Sequence, residues 1–124
     1  MQRSRSITRL ACLPLLAIAT FTATPAFRAR AQEQPRVINI TAKRFGFTPN
    51  VITLKKGETV KLRLTSEDVT HGFFMKALKL DGLIVPGQPT EVTLTPQQEG
   101  RFTTICDHFC GAGHGNMSMT IVVE

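Results

Sequence analysis

From Arg36 onward the chain is a series of short apolar runs of period two, each closed by glycine, proline or a polar turn. This pattern constrains the fold more than any other feature. Val37-Ile38-Asn39-Ile40 alternates, and Val51-Ile52-Thr53-Leu54 runs into the Lys55-Lys56-Gly57 turn. Residues 59–65 (TVKLRLT) put Val60, Leu62 and Leu64 on one face of a strand. Residues 91–95 (EVTLT), 101–105 (RFTTI) and 117–122 (MSMTIV) continue the series, punctuated by Pro86-Gly87, Pro96 and Gly100. No window sustains a helical period. Six or more short strands in a stretch of this length predict an all-β fold, a Greek-key β-sandwich or barrel.

The first part of the chain does not follow this pattern. Met1 to Arg9 hold three arginines and no acid, residues 10–23 are almost wholly apolar, and Ala29-Arg30-Ala31 offers small residues at a cleavage site. Residues 1–31 read as a secretory signal peptide, which leaves residues 32–124 as one domain. The apolar run is shorter than the roughly 20 residues of a membrane-spanning helix, so an uncleaved anchor fits less well. Cys12 precedes most of the apolar stretch, whereas the acylated cysteine of a lipoprotein follows it, so Cys12 is read as part of the signal. The expected location is therefore the periplasm.

Export changes the meaning of the charge. The formal net charge of +6 includes Arg3, Arg5, Arg9, Arg28 and Arg30, which leave with the signal. The remaining ten basic residues face nine acidic ones, so the pI of 9.8 gives no support for a nucleic-acid partner.

Residues 106–117, CDHFCGAGHGNM, fill the gap between the RFTTI and MSMTIV strands and so form a loop at one end of the sandwich. Two cysteines in an exported domain ordinarily suggest a disulfide. Two histidines and a methionine beside them add a zinc clip and a copper site as alternatives. Thiolate, imidazole and thioether are together the set that soft and borderline metals prefer, copper above all, and zinc gains little from Met117. Calcium and magnesium take oxygen ligands. One further ligand stands upstream: His71, in SEDVTHGFF, directly after the TVKLRLT strand. Met75, Phe73 and Phe74 are expected to pack rather than bind.

CDHFCGAGHGNM resembles the copper loop of cytochrome c oxidase subunit II, C-x-E-x-C-G-x-x-H-x-x-M, at every position except His108, which replaces the glutamate. DVTH resembles the same family's upstream histidine, which also follows an acidic residue and a strand. Nitrous oxide reductase carries a related loop, but the Cys110-Gly111 step favours the oxidase. The resemblance implies a cupredoxin-type sandwich over residues 36–124 with a CuA-type centre of two copper ions. By that resemblance Cys106 and Cys110 bridge the metals, His71 and Met117 complete one copper, and His114 with the backbone carbonyl of His108 completes the other. A single copper is the alternative if the His108 imidazole swings in as a direct ligand. The family tends to place tryptophan after the upstream histidine; Gly72-Phe73-Phe74 stands there, and the chain contains no tryptophan.

The function implied is electron transfer between a c-type cytochrome or other redox protein and a membrane oxidase or reductase. A periplasmic copper chaperone or store with the same ligands is the alternative, and a detached oxidase subunit a weaker one. No Ser-His-Asp set, phosphate-cradling loop or open catalytic metal position points to an enzyme acting alone.

Overall fold

The computed structural model describes residues 34–124. The segment read as a signal peptide, residues 1–31 with Cys12, lies outside the described residues.

Nine strands are present among the described residues: β1 (Arg36–Lys43), β2 (Gly46–Thr48), β3 (Val51–Leu54), β4 (Val60–Ser66), β5 (His71–Met75), β6 (Leu80–Ile84), β7 (Thr90–Leu94), β8 (Gly100–Ile105) and β9 (Ser118–Val123). Two single 3-10 turns, Lys76–Leu78 and His114–Asn116, are the only helical elements among them. No helix of the described residues is long and apolar enough to cross a membrane.

The strands form two sheets, in the orders β2-β1-β4-β7 and β3-β9-β8-β5-β6. β1 pairs in parallel with β4, with Ile38 opposite Leu62 and Ile40 opposite Leu64; β3 pairs in parallel with β9, with Ile52 opposite Ile121. The remaining pairs are antiparallel. The chain crosses between the sheets at β2–β3, β3–β4, β4–β5, β6–β7 and β7–β8, as a Greek-key sandwich requires.

The period-two pattern sets the core. Ile40 and Ala42 of β1, Val60, Leu62 and Leu64 of β4, Phe73 and Met75 of β5, and Met119, Ile121 and Val123 of β9 all point inward and are buried. Each large side chain so buried contributes about 1.5–3 kcal/mol. Phe47 of the first sheet meets Phe73 of the second edge to face, with ring centroids 5.5 Å apart and planes at 85°. That geometry is favourable for the ring quadrupoles and ties the two layers together.

Three strands escape sequence reading. β2 is only three residues long. β5 (HGFFM) puts a polar residue, His71, at an inward position and has Gly72 covered on the opposite face, and β6 (LDGLI) carries an aspartate and a glycine, so neither shows plain apolar alternation. β5 is held by its neighbours: Phe74 stands opposite Ile105 of β8, and all five of its residues pair with β6. This placement decides the site. β4 ends at Ser66, β8 ends at Ile105, and β5 and β9 begin at His71 and Ser118, so the loops 67–70 and 106–117 both emerge where these strand ends meet.

Candidate metal centre

His71 opens β5; it does not lie at the end of β4, from which residues 67–70 separate it. Strand alternation puts His71 on the same inward face as Phe73 and Met75, and its side chain is completely buried. A buried imidazole needs partners for both nitrogens. Nε2 lies 2.7 Å from Oδ1 of Asp68, and Nδ1 faces Sγ of Cys106 at 3.9 Å.

Asp68 is itself held tightly. Oδ1 also accepts the Val69 N–H at 2.7 Å, and Oδ2 accepts the Arg44 N–H at 2.9 Å. Burial alone would push this carboxyl up; the hydrogen bonds from Arg44, His71 and Val69 outweigh it and hold the group well below the usual carboxylate range. An ionised Asp68 keeps the ring proton on Nε2 and leaves the Nδ1 lone pair aimed at the cysteines.

Cys106 follows β8 directly, and its N–H donates to the Met117 carbonyl at 3.0 Å, closing the neck of the loop. Its Sγ accepts the Gly72 N–H at 3.4 Å and donates to the His108 carbonyl at 3.2 Å. The approach to Gly72 leaves no room for a side chain: a Cβ there would overlap the Asp107 carboxylate and stand 2.6 Å from the His108 nitrogen.

Cys110 sits across the cluster, with Sγ 3.7 Å from Sγ of Cys106. A disulfide needs about 2.05 Å, so these are two free thiols. Cys110 Sγ also meets Nδ1 of His114 at 3.9 Å and Sδ of the buried Met117 at 3.8 Å. Burial pushes the Cys110 thiol up to about 11, with the neighbouring Cys106 adding to the shift and the charge of Arg44 opposing it. A metal entering here must displace thiol protons.

Of the six residues expected from sequence, His71, Cys106, Cys110, His114 and Met117 bring side-chain atoms together. The ligand atoms of His71, Cys106 and Cys110 all lie within 4.8 Å of one another. Met117 is buried beside them, and His114, on its 3-10 turn, is half-buried. His108 brings its carbonyl to Cys106, while its side chain is exposed. Met75 and Phe73 are core residues, as expected. Sequence reasoning missed Asp68 as the partner of His71, Gly72 as the amide facing sulfur, and Arg44. The acidic residue before the histidine was the signal for Asp68; nothing local marked Arg44.

Two thiols, two imidazole nitrogens, a thioether and a carbonyl oxygen in a mostly buried cluster form a soft donor set that fits copper. The His71, Cys106 and Cys110 cluster is compatible with a copper site.

Known proteins agree. Cytochrome c oxidase subunit 2 of Thermus thermophilus is 36% identical over 87 residues, covering 70% of this chain and 64% of that protein. Nitrous-oxide reductase of Cupriavidus necator is 34% identical over 91 residues, covering 70% of this chain and 14% of that protein. The chain therefore spans less than two thirds of either relative. Among solved structures, the periplasmic domain of cytochrome oxidase subunit II from Bradyrhizobium japonicum superposes with a TM-score of 0.67 at 20% identity, covering 72% of this chain and 83% of that one. Auracyanin A, a blue copper protein from Chloroflexus aurantiacus, superposes with a TM-score of 0.60 at 19% identity, over 73% of this chain and 99% of that one. With the family profile matching residues 12–123, the chain belongs to the cupredoxin-like domain family and is homologous to subunit II of cytochrome c oxidase.

Proposed function

We propose that the chain is an exported one-electron carrier in which Cys106 and Cys110 bridge a binuclear, CuA-type copper centre. His71 and Met117 complete one copper in this reading, and His114 with the His108 carbonyl completes the other. The observation that carries it is the pair of sulfurs 3.7 Å apart with an imidazole Nδ1 at 3.9 Å from each, His71 beside Cys106 and His114 beside Cys110. A single-metal clip has no use for six soft and neutral donors arranged on two sides of a thiol pair.

Copper bound there supplies a one-electron couple. The protein's part is to hold the donors still and dry, so that little rearranges when charge changes. Buried His71, Cys106, Cys110 and Met117 exclude water, and the Asp68 carboxylate fixes the His71 ring. His114 forms the outer wall: the Phe109 ring, 75% exposed, lies 5.9 Å from the His114 ring. This is the edge at which a redox protein such as a c-type cytochrome would exchange electrons. The oxidase relatives support a membrane oxidase or a reductase as the other partner.

The test is copper reconstitution of the metal-free protein, read by metal content, visible absorption and electron spin resonance. Two coppers per chain, a purple oxidised form and a spin delocalised over both metals are expected. Cys106→Ser and Cys110→Ser should each abolish that spectrum, because each sulfur is shared. A colourless Cu(I) protein that passes its metal to an acceptor and cannot be reoxidised intact would replace this reading with a copper chaperone.

A further inference from the structure

The turn between β1 and β2 supplies no donor to the cluster, yet it touches both halves of it. Arg44 donates its backbone N–H to Oδ2 of Asp68 at 2.9 Å, and Asp68 holds His71. The same residue donates its side-chain Nε–H to the carbonyl of Cys110 at 2.7 Å, across 66 residues of sequence. Next to it, the Phe45 ring lies on the loop: a Cβ at Gly111 would stand 3.0 Å from two ring carbons, and one at Gly113 would stand 2.5 Å from another. Gly111, at φ 139, also takes a backbone conformation that other residues rarely adopt.

The two arms of the cluster hang from different supports. Asp68 sits in the turn that leads into β5, whereas Cys110 lies inside a twelve-residue loop with one 3-10 turn. Such a loop has no sheet ladder at Cys110 to hold it, and the position of its backbone fixes the position of Sγ. The hydrogen bond from Arg44 is the one that ties the Cys110 carbonyl to the rest of the fold among the described residues.

We propose that Arg44 is a positioning residue for the metal centre: it locks the Cys110 segment to the Asp68–His71 arm and thereby sets how readily metal escapes and at what potential the centre works. This rests on the copper reading above. A guanidinium gives a short, directional, charge-assisted bond, and its fixed positive charge beside a sulfur ligand favours the state with the added electron.

The experiment compares the wild-type chain with Arg44→Ala, Arg44→Lys and Arg44→Gln. Copper-loaded samples are read for the rate of copper loss to a chelator and for reduction potential; metal-free samples are read for amide hydrogen exchange in residues 106–117. Arg44→Ala should lose copper roughly tenfold faster, the scale seen when a group that orients a metal ligand is removed. In the metal-free protein the amide hydrogens of residues 106–117 should exchange faster, and the copper-loaded variant should work at a lower potential. Arg44→Lys, which keeps the charge without the planar fork, should recover the potential and not the release rate; Arg44→Gln should not recover the potential. Wild-type release, potential and amide exchange in all three variants overturn the proposal, and so does a loss confined to thermal stability. Arg44 is exposed on a turn, and should Arg44→Ala not fold, the lysine and glutamine variants decide. If the wild-type chain takes up no thiolate-bound copper, the functional reading fails by itself, and the amide exchange rates alone decide whether Arg44 holds the loop.

Discussion

Nε2 of His71 lies 2.7 Å from Oδ1 of Asp68 while Nδ1 of the same ring faces Sγ of Cys106 at 3.9 Å. One side of the ring is thus committed to a carboxylate and the other is presented to the thiols. A carboxylate behind a ligating imidazole fixes its tautomer and orientation, and its removal typically costs about 10–100-fold in metal affinity. Asp68→Ala should lower copper affinity by that order in a chelator-competition titration, with the fold kept. Unchanged affinity would mean that the ring is held by packing alone.

Gly72→Ala tests the close approach of β5 to the metal loop. Its Cβ would meet the Asp107 carboxylate and the backbone nitrogens of His108 and Asp107 at 2.6 and 2.8 Å, and backbone cannot swing aside as a flexible side chain can. Overpacking of this kind costs typically about 1–3 kcal/mol. The variant should unfold at lower denaturant concentration, and displacement of residues 106–108 should alter the copper spectrum as well. A stable variant with a wild-type spectrum would show that the loop has slack here.

Glu58 provides a test far from the metal loop. It accepts Arg36 through Oε1 at 2.8 Å and Oε2 at 3.1 Å, and the Lys55 N–H at 3.1 Å, joining the β3–β4 turn to the start of β1. The Arg36 hydrogen bond, with help from Lys55, lowers its pKa from the ordinary 4.5. A carboxylate lowered by folding stabilises the fold above its unfolded pKa, and that contribution is lost as pH falls through the lower folded value. Glu58→Gln should therefore be less stable than the wild type near neutrality, with the gap closing in acid and shrinking in high salt because the pair is solvent-exposed. A gap of constant size from neutral to strongly acid pH would assign the effect to something other than charge. Copper binding should not change.

Much of this molecule can be read from its sequence, and the parts that cannot have physical reasons. β1, β3, β4, β7, β8 and β9 announce themselves because one face of each is apolar and the other polar. β5 does not, since one of its inward positions holds the polar His71 and Gly72, on the opposite face, is covered by the metal loop, so both faces are buried and no apolar-polar alternation shows. The donors were legible because five of the six expected residues lie within one twelve-residue loop. Arg44 was not legible, because its link to Cys110 spans 66 residues and exists only once β1 and β8 belong to facing sheets.

His108 is where the loop departs from the subunit II pattern, and its two ends face opposite ways. The carbonyl stands 3.2 Å from Sγ of Cys106, inside the cluster, while the side chain is exposed to solvent. A backbone donor is indifferent to the side chain it carries, so histidine can stand where the oxidase pattern has glutamate with no change in the donor set. His108→Ala and His108→Glu should therefore both bind the same number of coppers as the wild type and give the same class of spectrum. Their effect should be confined to charge at the rim: glutamate adds a negative charge near the metals, which disfavours the added electron and should lower the reduction potential relative to alanine. Because the side chain is in water, that difference should shrink as ionic strength rises. The decisive measurement is metal content together with the spin-resonance spectrum of His108→Ala. Loss of a copper, or a change from a delocalised to a single-copper signal, would make the imidazole itself a ligand and remove the carbonyl from the donor set.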